Sequence, residues 1–325
     1  MKLDYQKLPL IFNVYKPVGV SSFSVVHHFK KNLNYDFGKI GHFGTLDPFA
    51  EGVLMIGVQG AQRLNEYIHE LLPKTYKACG RFGSKTESGD HTGKVLSNAE
   101  IDPEFQKCSL EFLEKLFREK FRGEYWQSPH SISATKFEGK RLYEHALSGR
   151  IITKEKVKRE ILDFKIKSFH YPDIEFEVVV SSGTYVRSLF EEMAELLGGT
   201  GHLIRLERSG VGENLSSYCL TKDEWPVKGQ SFDLEKWGTP LDFALRLNKL
   251  ILNKEQTYKY LQGQRLTAES VKIELNTSEG VVASENLFWV YNSTGHLLGL
   301  SKILGNDICA VFNLRLAIDQ FLVKE

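Results

Sequence analysis

Cysteine is scarce in this chain. Four occur in 325 residues, Cys79, Cys108, Cys219 and Cys309, and no two form a Cys-x-x-Cys pair. That spacing argues against a disulfide framework or a zinc ribbon and for reduced, mostly buried thiols, which fits the cytoplasm. Long apolar runs are missing too: none approaches the roughly 18 residues of a membrane span. The apolar stretch before Lys16-Pro17 is too short for the core of a signal peptide. Net charge is nearly absent, with 42 Lys and Arg against 41 Asp and Glu. A polyanion would therefore have to be met by a local basic face. Repeats and low-complexity tracts are also lacking.

Several chemistries lose their signatures in the same way. There is no GxxxxGK[ST] phosphate loop, no GxGxxG after a strand and no GxSxG elbow. His69-Glu70 is followed by Leu-Leu-Pro, so HExxH fails, and His27 and His28 are adjacent rather than four apart. No metal site, nucleotide cofactor or serine mechanism is supported.

What is present reads as a soluble α+β protein large enough for two domains. LIFNVYKP (10–17) reads as a strand ended by Pro17, and SSFSVVHHFKKNL as a helix capped by Ser21 or Ser22 with Val25, Phe29 and Leu33 on one face. GVLMIGV is a buried strand. AQRLNEYIHELLP is an amphipathic helix with Leu64, Ile68 and Leu71 inward, stopped by Pro73. KTYKACGRFG is a strand, and Ser109 caps the helix SLEFLEKLFREKF. Residues 127–159 are polar and basic and read as an excursion from the sheet. LDFKIKS then alternates with Leu162, Phe164 and Ile166 on one face, and IEFEVVV with Ile174, Phe176 and Val178. SSGTYVRSLFEEMAELLGG turns from strand into a helix ending at Gly198-Gly199. Strands without strict βαβ alternation predict a mixed, mostly antiparallel sheet flanked by helices. After about residue 250, short strands with Asn/Gly turns predict a separate small β-barrel.

Two stretches invite chemistry. In GHFGTLDPFAEGVL (41–54), Asp47 precedes Pro48, which disfavours the helical region, and Gly41, Gly44 and Gly52 remove side chains where a ligand can approach. Asp-Pro alone is a common turn dipeptide. In SSGTYVRS (181–188), Tyr185 and Arg187 lie two apart and would project from one side of an extended segment, suiting a base ring and an anion.

These stretches do not stand alone. GHFGTLDPFAEGVL resembles the catalytic motif of the TruB family of tRNA pseudouridine synthases. NVYKPVGVSSFSVV, KTYKACGRFGSKTESGDHTGKV, QSPHSISATKFEGKRLYEHALSGR, SSGTYVRSLFEEMAELLG and GHLIRLERSGVG resemble further motifs of that family, in its order, from about residue 11 to 212. The C-terminal segment resembles its PUA-like RNA-binding domain more loosely.

The resemblance implies an isomerase that moves the T-loop uridine of tRNA, position 55, from an N1 to a C5 glycosidic link, with no cofactor and no metal. Asp47 would be the catalytic carboxylate, linked transiently to sugar or base or stabilising a glycal; the residues leave these routes open. Arg187 would pair with Asp47, Tyr76 would stack on the target base and move a proton, and Tyr185 would line the pocket. His42 would fill the gap left by the flipped-out nucleotide. Lys136, Lys140 and Arg141 would belong to a thumb-like basic excursion (127–159) gripping the T arm, together with Arg150, Lys154, Lys156, Lys158 and Arg159, and Arg63 would contact RNA. The expected domains are 1–250, catalytic, and 251–325, RNA-binding; the expected state is a monomer in the cytoplasm. Phe43, Gln62-Arg63, Pro129-His130 and Ile132 depart from the family pattern. A catalytically silent tRNA-binding or folding protein is the alternative from another class, and an aspartate-nucleophile nucleoside hydrolase a more remote one.

Overall fold

The computed structural model describes residues 5–6, 8–128, 136–137, 140–141, 155–277, 284 and 286–314. The strands are β1 Leu10–Lys16, β2 Gly41–His42, β3 Glu51–Gly57, β4 Lys74–Thr86, β5 Val95–Ala99, β6 Gly123–Gln127, β7 Lys136–Phe137, β8 Lys140–Arg141, β9 Val157–His170, β10 Asp173–Val180, β11 Gly201–Val211, β12 Asn214–Leu215 and β13 Gly238–Pro240. All but the β7–β8 ladder join one eleven-stranded sheet, with central order β13-β1-β3-β11-β4-β10-β9-β6. Its neighbours are antiparallel except β3 and β11, which run parallel with Glu207 opposite Glu51. The α+β architecture expected from the sequence is the one found.

The helices pack on this sheet for the reasons their sequences suggest. In α1 (Ser22–Asn32), Ser21 caps the first turn by accepting from the Ser24 amide, and Val25, Val26 and Phe29 are buried. A 3₁₀ turn, Ala61–Leu64, leads into α2 (Asn65–Leu71), whose Ile68 is fully buried. Ser109 caps α3 (Leu110–Phe121), which buries Leu113, Phe117 and Phe121. In α4 (Val186–Leu196), Leu189, Phe190 and Met193 face β4, β10 and β11.

Within this sheet the chain departs from expectation at Leu162 and in the basic excursion. Leu162 is exposed, whereas its neighbour Ile161 is buried beside Phe164 and Ile166. The cause is a bulge: Val179 opposes Asp163 but Val180 opposes Ile161, so Leu162 is the extra residue and the alternation changes phase there. The basic excursion is also shorter than expected. Gln127 pairs with Val157 at the sheet edge, so Gln127, Val157, Lys158 and Arg159 are sheet residues. Between them, β7 and β8 pair Lys136 with Arg141. That ladder's side chains, with Arg150 and Lys154, lie outside the described residues, as do Pro129-His130 and Ile132.

The C-terminal strands β14 Asn248–Leu252, β15 Leu266–Thr267, β16 Lys272–Glu274, β17 Leu287–Asn292, β18 Leu297–Leu304 and β19 Asp307–Asn313 form a second, six-stranded half-barrel. Its order is β15-β19-β18-β17-β14-β16, with β14 and β17 parallel. The expected boundary at residue 250 falls inside β14. One hydrophobic cluster joins this sheet to the rest: Val53, Leu64 and Ile68 share it with Trp289, Leu300 and Phe312. Among the described residues, no helix is long and apolar enough to cross a membrane.

Candidate active site

The loop between β2 and β3 carries Asp47, and its shape is over-determined. Gly44 and Gly52 sit at φ of 92° and 107°, the left-handed region that glycine adopts without strain. A Cβ on Gly52 would lie 2.3 Å from the carbonyl oxygen of Arg208, so the residue must be glycine for sterics as well. The side-chain hydroxyl of Ser22 accepts from the Leu46 amide at 2.8 Å and donates to the Leu46 carbonyl at 3.0 Å. The Gly19 amide donates to the Pro48 carbonyl at 2.8 Å, and the Ala50 amide to the Asp47 carbonyl at 3.1 Å. From below, the Arg208 guanidinium donates to the carbonyls of Val53 at 2.8 Å, Gly44 at 3.1 Å and Thr45 at 3.5 Å. Arg208 is only 2% exposed, so these bonds also satisfy a buried cation. The glycines and Pro48 are thus explained as a backbone fastened at both ends around one carboxylate.

That carboxylate meets Arg187. The Arg187 Nη2 stands 2.9 Å from Asp47 Oδ2; the arginine side chain is 3% exposed and the aspartate 37%. Arg187 also donates to the Ser88 carbonyl and lies 3.8 Å from Asp90 Oδ2. Asp90 is held in turn by the Thr92 amide and hydroxyl at 2.9 and 2.5 Å. A planar guanidinium suits such a fork of acceptors, because its donors point in fixed directions. Arg187 lies in the first turn of α4 and Tyr185 is the residue before it. The extended geometry expected for this pair is therefore replaced by a strand-to-helix turn, yet both residues line the same cleft.

The cleft has a volume of about 430 Å³. Asp47, Tyr76, Tyr185 and Arg187 line it together, as expected, along with Arg159. Strand alternation places Lys74 and Tyr76 of β4 on this side, and Tyr76 stands opposite Arg208 on β11. Ser182 and His69 close one wall, joined by a 2.6 Å hydrogen bond between Oγ and Nδ1. Burial lowers the His69 pKa, and the Lys74 and Arg208 charges add to the effect.

Two buried lysines complete the charge pattern. Lys74 donates to the carbonyls of Leu72, His69 and Ile68 at 2.6, 2.8 and 3.4 Å, closing the C-terminal end of α2. Burial, with the Arg208 charge, pulls its pKa down to about 7. Lys16 donates to Val20 and Pro17 carbonyls at 2.8 and 3.0 Å. Burial lowers its pKa to about 8, with Asp47 acting in the opposite sense. The cleft therefore offers one solvent-reachable carboxylate in a cationic, partly apolar wall. That combination can hold an anionic ligand with an attached ring and place a carboxylate against it.

His42 and Arg63, expected to meet the RNA around the target nucleotide, do not line the cleft. His42 lies on β2 opposite Ile56 and is not among the cleft-lining residues. Arg63 turns to the C-terminal sheet, 3.4 Å from the Asn313 carbonyl and 5.9 Å from the centre of the Phe312 ring. Phe43 fills the core against Gly57, where a Cβ would come within 2.7 Å of its ring, which accounts for that departure as packing. Conversely, Arg208, Asp90, Lys16, Lys74 and His69 were not singled out by sequence. Four of them lie in motifs quoted above; a buried arginine that braces a loop some 160 positions away has no local signature. Among the described residues, no group of three or more His, Cys, Asp or Glu could hold a metal ion.

Comparison with known proteins agrees with this geometry. A family profile described as TruB family pseudouridylate synthase (N terminal domain) matches residues 30–186. The chain is 34% identical over 298 residues to tRNA pseudouridine synthase B of Thermotoga maritima, covering 91% of each protein. It is 33% identical over 288 residues to the protein of that name from Burkholderia lata, covering 88% of this chain and 84% of the relative. A chain of a Cbf5-Nop10-Gar1 complex has the same fold at a TM-score of 0.68 and 21% identity, covering 95% of this chain and 86% of that one. A chain from an H/ACA RNP bound to a substrate RNA containing 2'-deoxyuridine follows at 0.67 and 20%, again covering 95% and 86%. With an over-braced aspartate loop, an arginine paired to it and relatives matched over nearly their whole length, the chain belongs to the TruB family of pseudouridylate synthases.

Proposed function

We propose that this protein converts the uridine at position 55, in the T loop of tRNA, to pseudouridine, with Asp47 as the catalytic carboxylate. The observation that carries this reading is the Asp47–Arg187 pair, 2.9 Å apart in a cleft also lined by Tyr76. The names of the relatives supply tRNA as the substrate class.

The reaction breaks the N1–C1' bond and forms a C5–C1' bond; C5 gives up a proton and N1 takes one up, so atoms and charge balance with no added reagent. The target uridine leaves its stack to enter the cleft, at a cost of a few kcal/mol. Tyr76 and Tyr185 receive the base, and Arg159 supports the backbone charge. Arg187 aims the Asp47 carboxylate at the sugar or base. The thumb segment, including Lys136, Lys140 and Arg141, grips the T arm. We propose that the protein acts as a monomer, in the cytoplasm.

The test is tritium release from a T-arm hairpin carrying uridine labelled at C5, with nucleoside analysis of the product. Release matched by pseudouridine formation supports the reading. Binding without release indicates the silent RNA-binding alternative, and free uracil indicates a hydrolase; either outcome overturns it.

A further inference from the structure

Helix α1 contains no acidic residue. Its inner face, Ser22, Val25, Val26 and Phe29, is buried. Its outer face presents Phe23, His27, Lys30 and Lys31, which recur at i, i+4, i+7 and i+8 and so form one stripe about 12 Å long. Phe23 is 74% exposed, the highest exposure, shared with Tyr218 and Leu275, among the large exposed hydrophobic residues. Its ring lies 6.3 Å from that of His27 with an interplanar angle of 21°, a stacked pair. Neither Lys30 nor Lys31 forms an ion pair among the described residues.

The position of this stripe gives it meaning. Ser22, the residue before Phe23, holds Leu46 by two hydrogen bonds, and Gly19 holds Pro48. The start of α1 is therefore fixed to the backbone on both sides of Asp47. An exposed aromatic ring followed by cations, with no carboxylate on the helix, is complementary to a nucleic-acid strand: a π-face for a base, positive charge for phosphates.

We propose that the outer face of α1 is an RNA subsite, in which an unpaired base flanking the target nucleotide stacks on Phe23. His27 backs the Phe23 ring and keeps it flat to the incoming base, and Lys30 and Lys31 contact phosphates further along the strand. The subsite rests on the proposed RNA substrate and adds to it a specific partner: a single-stranded nucleotide next to the flipped uridine. Stacking accepts any base, so the subsite contributes affinity and register rather than sequence preference.

The experiment compares Phe23→Leu, Phe23→Trp and the double variant Lys30→Gln/Lys31→Gln with the wild-type chain. The probe is a T-arm hairpin, with binding followed by anisotropy at several salt concentrations and isomerisation by tritium release. Phe23→Leu should weaken binding roughly five- to a hundredfold, the range of one lost base stack. Phe23→Trp should keep affinity, and the fluorescence of the introduced indole should be quenched as RNA is added. The lysine variant should flatten the plot of log affinity against log salt by a slope of about 1.5. All three should melt with the wild type, since the replaced groups are at the surface. Wild-type affinity in Phe23→Leu, or indole fluorescence in Phe23→Trp that is blind to RNA, would overturn the proposal. So would concentration-dependent self-association of the wild type that Phe23→Leu abolishes without changing RNA binding, because the face would then be a protein contact. Loss of the wider reading looks different: wild-type protein that binds the hairpin but releases no tritium would remove the catalytic claim and leave the Phe23 result standing.

Discussion

Among the residues around Asp47, roles separate by what each side chain can lose. Tyr76→Phe keeps the ring and removes the hydroxyl, whereas Tyr76→Leu removes both. If the hydroxyl moves a proton, turnover falls by about 10²–10⁴ already in Tyr76→Phe, and Tyr76→Leu adds a stacking loss of about 1–3 kcal/mol. Normal single-turnover rates in Tyr76→Phe would confine Tyr76 to stacking. Lys16 makes a pH-dependent prediction. Its folded pKa, about 8, lies below the ordinary 10.5 because it is buried. Between these values the unfolded chain holds more protons, so this group's contribution to stability rises with pH. The burial penalty is fully present below about 8 and gone above about 10.5. Cys219, pushed up to about 12 by burial, acts in the opposite sense above about 9. The quantity to measure is therefore the difference in urea unfolding free energy between wild type and Lys16→Met. It should shift in favour of the wild type from pH 8 to 10; a flat difference would show that Lys16 titrates normally. Sequence made Asp47, Tyr76 and Arg187 legible because each sits in a distinctive motif. Arg208 and Asp90 sit in quoted motifs as well, but what they brace stayed hidden, because their partners lie far along the chain, at Gly44, Val53 and Arg187.

At the level of elements, periodicity was a good guide wherever one face of a strand or helix met the core. β10 buries Ile174, Phe176 and Val178, and α1 buries Val25 and Phe29, as their spacing requires. Phase failed at Leu162 because a bulge inserts one residue, which alternation cannot reveal. It failed again at Tyr185–Arg187, where the helix begins at Val186, two residues earlier than an extended reading through Arg187 allows. The loop that carries Asp47 offers a test of bracing against strain alone. Gly52 and Gly60 both have positive φ, but a Cβ on Gly60 meets nothing within 4 Å, whereas one on Gly52 meets the Arg208 backbone. Gly60→Ala should cost about 1–2 kcal/mol, the backbone penalty for an L-residue in that region. Gly52→Ala should cost more and also slow isomerisation, because relieving the clash displaces the loop that carries Asp47. Equal losses in denaturant titrations would show that close approach to Arg208 adds nothing.

Across the whole molecule, the two sheets are less independent than their sequences suggested. Val53, Leu64 and Ile68 share a hydrophobic cluster with Trp289 and Phe312, and Arg63 reaches the carbonyl of Asn313. We propose two units that meet between Ala244 and Asn248, the first holding the cleft and the second extending the RNA contact. A cut after Ala244 should lower the melting temperature, because it strips apolar partners from α2 and β3. It should also flatten the salt dependence of tRNA binding, because fewer phosphates are met. An unchanged salt slope would make the second sheet a packing element only. The central claim is that the braced carboxylate of Asp47 performs the isomerisation. Its most direct test is Asp47→Asn, a near-isosteric change, measured by tritium release from position 55 of a T-arm hairpin alongside hairpin affinity, which phosphate contacts should dominate. The account predicts no detectable release with affinity within a few-fold of wild type; release at a near-native rate would contradict it.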